Sequence, residues 1–156
     1  MQLDVKYQTP REVCAIWGPV VLRLVDGAPT EQPDIDRIHV LLEELLAAWP
    51  SVGMLVIAHH GNPTPSLATL RYSKQLMDRF EQRLVVGITL LGLGFWAEAA
   101  RASADLFIRL ARGSTVALES SVEQAVRRMA LELVGIDGDG LRAACAELEL
   151  RLRTRE

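Results

Sequence analysis

The sequence predicts an α/β fold on three observations: a mixed, mostly parallel sheet packed by helices, with an antiparallel N-terminal edge. Two continuous apolar runs, VGMLVIA at 52–58 and RLVVGITLL at 83–91, have the length and β-branched content of strands buried on both faces. Each is followed by a segment whose apolar residues recur at three- and four-residue steps, the period of a helix lying on a sheet. Beyond Glu119 only helical patterning remains, so the sheet should be complete by that residue. Strands and helices alternating at this spacing imply right-handed βαβ crossovers.

The elements follow in order. Residues 3–7 (LDVKY) alternate, 13–17 (VCAIW) are mostly apolar and 20–25 (VVLRLV) follow Gly18-Pro19, a pattern of short strands joined by turns. Asp26-Gly27 and APTEQP break the pattern before a helix expected from about Asp34, with Ile35, Ile38, Leu42, Leu45 and Trp49 in its apolar stripe and Pro50 ending it. The run at 52–58 is expected at the centre of the sheet. The loop HHGNPTPS then leads to a second helix that turns Leu67, Leu70, Met77 and Phe80 inward. Thr64 is expected to cap that helix, with Pro65 at its first position, where the missing N–H is harmless.

After the strand at 83–91, a third helix over about 95–111 places Trp96, Ala99, Ala100, Ser103, Ala104, Phe107 and Ile108 inward and keeps Glu98, Arg101, Asp105, Arg109 and Arg112 in water. STVAL at 114–118 is the last expected strand. Ser120-Ser121-Val122-Glu123 fits a capping box in which Ser120 accepts from the Glu123 amide. The fourth helix that follows should bury Val122, Ala125, Val126, Met129 and Leu133 and stop near Gly135. IDGDG turns into a final helix with Leu141, Ala144, Cys145, Leu148 and Leu152 at helical spacing, available to this core or to a partner's.

A chain of 156 residues fits one domain with one sizeable core. Seventeen Lys and Arg against 20 Asp and Glu, scattered without a basic stripe, argue against nucleic-acid binding. No stretch has the apolar length of a membrane span, and the N-terminus lacks the apolar core of a secretion signal, so a cytoplasmic location is expected. Cys14 and Cys145 stand far apart in apolar surroundings and read as reduced core thiols.

The residues that could carry function cluster at two turns. Gly92, Gly94 and Ala97 satisfy the dinucleotide pattern GxGxxA between a strand and a helix, and Glu119 stands where a ribose-binding acid would. Too little sheet remains downstream to complete such a site, and Phe95 and Trp96 crowd the place of the pyrophosphate. The glycines are therefore expected to let the helix start close to the sheet, and no cofactor is expected. His59 and His60 end the central strand, where open α/β sheets place ligands, but adjacent strand residues point to opposite faces and cannot chelate one metal. His39 has no cluster of ligating residues around it. Asn62, Thr64 and Ser66 complete the loop, and with His59, His60, Gly92 and Gly94 they form the candidate set for a ligand or partner. No GxSxG, phosphate loop or calcium loop is present, so no enzymatic activity is expected.

The element order resembles the STAS domain of anti-sigma-factor antagonists and its STAS/SEC14-like relatives over roughly residues 12–133, with the helix at about 139–155 as an extension. The most specific stretch is ITLLGLGFWAEAARASADLFIRLARGSTVALESSVEQAVRRM, in which Leu106-Phe107-Ile108-Arg109 and Glu123-Gln124-Ala125 are similar to segments of small bacterial members. The resemblance implies a regulatory role in which a partner kinase binds beside the N-terminus of the second helix; with no catalytic constellation on this scaffold, the expected function is a non-enzymatic module that binds a protein partner, as a homodimer. This chain departs from the family at the phosphorylated D-S/T-x-G motif, where it has His60-Gly61-Asn62-Pro63-Thr64-Pro65-Ser66, so that site is not carried over. A phosphate on Thr64 or Ser66 would still sit on a helix N-terminus. The alternative reading is a small-ligand binder, for a lipid or nucleotide, using the strand ends and the 92–97 turn. An NAD-dependent enzyme ranks last.

Overall fold

A computed structural model describes residues 1–111 and 115–154. Six strands, β1 (Leu3–Thr9), β2 (Glu12–Trp17), β3 (Val20–Val25), β4 (Val52–His59), β5 (Leu84–Leu91) and β6 (Thr115–Glu119), make one sheet in sequential order. The first three pair antiparallel and β3 to β6 run parallel, as the apolar runs imply. The helices are α1 (Gln32–Leu46), α2 (Leu67–Met77), α3 (Gly94–Leu110), α4 (Val122–Glu132) and α5 (Gly138–Arg153), with a 3₁₀ turn at Asp78–Arg83 after α2. No helix among the described residues is long and apolar enough to cross a membrane.

Because parallel strands β3, β4, β5 and β6 are adjacent in chain order, right-handed crossovers put α1, α2 and α3 on the same face. There Cys14, Val21 and Val86 of the sheet meet Ile38, Leu42, Leu70 and Phe107. The alternate side chains, Val13, Ala15, Leu22, Leu24, Leu55 and Ile57, meet Val126, Met129, Leu141 and Leu148 on the opposite face, under α4 and α5. All five apolar residues of the final helix's stripe, Leu141, Ala144, Cys145, Leu148 and Leu152, are buried. That helix covers its own chain's sheet. Gly53 is needed for this closeness, since a Cβ there would stand 2.7 Å from Leu133 and 2.9 Å from Met129.

Several boundaries differ from the sequence expectation, each for a local reason. Helix α1 starts at Gln32 because Glu31 and Asp34 form a capping box, and it closes at Leu46, so Pro50 lies beyond the end and Trp49 belongs to the following turn. The cap of α2 is Ser66, not Thr64: Ser66 Oγ accepts from the Thr69 N–H at 3.1 Å, and residues 63–65 bridge from the buried Asn62 to the helix. Leu67 consequently falls in the first turn and is exposed, while Phe80 packs from the 3₁₀ turn. At α4 the box is shifted by one residue. Ser121 Oγ accepts from the Gln124 N–H, and Gln124 Oε1 accepts from Ser120 N–H and Oγ–H, a role expected of Glu123. Ala97, not Ala99, faces inward on α3, which begins at Gly94. Arg112, Ser114 and Arg155 lie outside the described residues.

At the outer edge, β1 carries a bulge between Val5 and Tyr7 that leaves Lys6 without a partner on β2.

Candidate functional site

The inward register of β3 on the α1–α3 face is Val21, Arg23 and Val25, so the single charge in VVLRLV is carried into the core. Arg23 is only 2% exposed. A buried charge must be paired, and Glu12 of β2, itself buried, accepts from Arg23 Nε at 2.5 Å. Burial pushes the Tyr7 hydroxyl above its ordinary range, which keeps it protonated, and it donates to the same Glu12 oxygen at 2.9 Å. Arg23 Nη1 donates to Thr30 Oγ1 at 2.7 Å, while Nη2 is buried without a partner.

Beyond this group a cavity of about 150 Å³ lies between strands β3–β5 and helices α1–α3. Its walls are mainly apolar, including Met54, Val56, Ile88, Ile38, Leu70 and Phe107, and Arg23, Thr30 and His39 supply polar atoms. Pro63 and Thr64, exposed at the C-terminal ends of the strands, mark the end that meets water. His39 is buried against Phe80, with ring centroids 4.8 Å apart. Its Nε2 lies 3.0 Å from Glu43 Oε1 without hydrogen-bond alignment, and its Nδ1 also has no partner.

The loop after β4 separates the sequence-derived candidates. His59 and His60 point to opposite faces, as strand alternation requires: His59 Nε2 meets Glu149 of α5 at 2.9 Å, and His60 packs tilted against Trp96 of α3, with ring centroids 5.2 Å apart. Asn62 is buried and structural. Its Oδ1 accepts from the N–H groups of Gly27 and Ala28 at 2.8 and 2.9 Å, and its carbonyl accepts from Trp96 Nε1 at 2.8 Å. It thereby ties the β3–α1 loop, the β4–α2 loop and α3 together at the cavity's open end. Asn62→Ala strands two backbone donors and should lower the unfolding free energy by about 1–3 kcal/mol, read by urea denaturation. Thr64 is exposed at the cavity, and Ser66 is committed to the α2 cap.

At the glycine turn the first glycine is packed against side chains of its own chain. A Cβ on Gly92 would stand 2.5 Å from His60 Nδ1 and 2.7 Å from the Trp96 ring, so this glycine admits side chains of its own chain. Gly94 adopts φ +72° with open space around it, which starts α3 with a sharp turn. Phe95 differs from expectation. It is 92% exposed, and the turn is filled by Trp96 together with His60. The sequential strand order also contains no reversal among the described residues, and a reversal is what opens the dinucleotide crevice in doubly wound sheets.

Glu149, as hydrogen-bond acceptor, holds the His59 imidazole above its ordinary pKa against the opposing effect of burial. Since the folded-state value is raised, this latch contributes fully below about pH 6.5 and is lost as pH rises through the folded-state value. Stability measured from pH 6 to 9 should therefore fall by up to about 1 kcal/mol, and His59→Gln should remove that dependence.

The cysteines are free and buried, and burial pushes their thiols up to about 11 for Cys14 and about 12 for Cys145. Asp137 caps α5 by accepting from the N–H groups of Asp139 and Gly140, which accounts for the DGDG turn. Sequence reasoning missed Arg23 and Glu12. The available signal was an arginine in the middle of an otherwise unbroken apolar strand, with an acid at the start of the strand beside it. No family model, curated protein or solved structure matches the chain.

Proposed function

We propose that this chain is a non-enzymatic binding module whose cavity between the sheet and α1–α3 takes a small apolar molecule. The cavity carries the reading. Native interiors leave few voids larger than water, and one of about 150 Å³ with mainly apolar walls leaves packing contacts that a ligand could supply. An apolar cavity of this volume in another protein stays dry and admits benzene. Two polar residues at its edge, Arg23 and Thr30, are hydrogen-bonded to each other, with Arg23 anchored from behind by Glu12, and suit orienting a ligand.

Thermal unfolding with benzene or six-carbon aliphatic ligands tests the reading. A ligand at about 100 times its dissociation constant should add about 2.7 kcal/mol of stability. Ala104→Leu, which fills the cavity from α3, should abolish that gain. Unchanged melting with every such ligand would sink the proposal.

A second reading, the STAS-like regulatory module with a protein partner or a second copy, is favoured by Leu93 and Phe95, 84% and 92% exposed at the start of α3. With the stripe of α5 committed to the chain's own core, this tip is the better docking point. Phe95→Asp should abolish such an association by solution mass, and a monomeric wild-type chain that captures no partner would oppose it.

A further inference from the structure

We infer that the ligand of this cavity is a short-chain carboxylate, with its hydrocarbon in the apolar space and its head group on the free edge of the Arg23 guanidinium. The inference rests on the cavity reading above and names its ligand class. Arg23 lines the cavity, and its donors are not all used: Nε serves Glu12, one hydrogen of Nη1 serves Thr30, and Nη2 serves nothing. A buried donor left without a partner is costly, so an acceptor delivered there would be bound strongly. The remaining N–H groups of Nη1 and Nη2 form the planar fork that matches the two oxygens of a carboxylate.

His39 gives the independent second observation. It lines the same cavity and is buried; its Nε2 lies 3.0 Å from Glu43 Oε1, and its Nδ1, which has no partner, is the nitrogen left to donate to a ligand oxygen. Glu12 faces the guanidinium from the Nε side, and Asp34 is paired with Arg37, so neither carboxylate occupies the free edge. An ammonium head group would bring only donors to a site already rich in donors. The cavity volume sets the length, about six carbon atoms by comparison with the benzene-sized void.

Calorimetric titration of the full chain with hexanoate, 1-hexanol, hexylamine and benzene tests this. Hexanoate should bind at least tenfold more tightly than hexylamine and 1-hexanol. The double variant Arg23→Met, Glu12→Leu removes both charges together and should weaken hexanoate at least tenfold while leaving benzene unchanged. Should that variant not fold, the wild-type Arg23 Nη resonances serve instead, and they should shift on addition of hexanoate but not of 1-hexanol. Benzene binding with hexylamine as tight as hexanoate, or with unmoved Arg23 signals, would overturn the carboxylate assignment and leave the cavity reading standing. Binding of none of the four would overturn both.

Discussion

Glu12→Ala is expected to lower the unfolding free energy by about 3–5 kcal/mol, among the largest single-site effects in this protein. The carboxylate is buried and accepts from both Arg23 Nε and the Tyr7 hydroxyl, so its removal leaves a guanidinium in the core with only Thr30 to meet it. Water replaces the carboxylate poorly, because Arg23 lies 2% exposed between Cys14 of β2 and Val56 of β4. The double replacement Arg23→Met, Glu12→Leu should recover most of the loss, since exchanging a whole buried ion pair for apolar groups is often neutral. Urea denaturation of the two variants separates these cases. A loss below about 1 kcal/mol for the single change would mean that solvent reaches the pair.

Ending the chain after Ile136 should have a larger effect still and abolish cooperative unfolding. Helix α5 contributes Leu141 and Leu148, both fully buried, to the cover over β2 and β3. Without it Val13, Ala15, Leu22 and Leu24, all at 0% exposure, would face water. Leu148→Ala alone should cost about 2–5 kcal/mol, against a total stability of about 5–15 kcal/mol for a domain of ordinary size. Thermal circular dichroism should show a broad, low-amplitude transition for the shortened chain and a lowered midpoint for Leu148→Ala. A sharp melt of the shortened chain near the wild-type temperature would show that the sheet stands without this helix.

The elements were legible where one strong signal dominated. The runs at 52–58 and 83–91 became β4 and β5 within one residue, because unbroken apolar segments of that length have few other places to lie. The stripe of α5 was readable for the same reason. Caps were less legible: Thr64 and Ser66, like Ser120 and Ser121, offer nearly equivalent hydroxyls, and the choice depends on where distant anchors such as Asn62 hold the chain. His59 and His60 were correctly separated to two faces by strand alternation alone. Arg23 was not recognised, since local pattern reads an arginine as solvent-facing and only the pairing of β2 with β3 reveals that Glu12 can meet it. The cavity has no sequence signature at all, because it arises from how three helices fail to fill the space above one sheet face.

The bulge in β1 has a consequence for how copies of this protein meet. An open sheet ends in rows of unsatisfied amide and carbonyl groups that invite strand addition and fibrous growth. Here the outermost backbone is kinked at the residue that carries an ammonium, Lys6, which is itself held to Asp4 at 2.6 Å. An incoming strand would find its ladder interrupted and a charge in its path, so this margin of the molecule is protected against edge-to-edge aggregation.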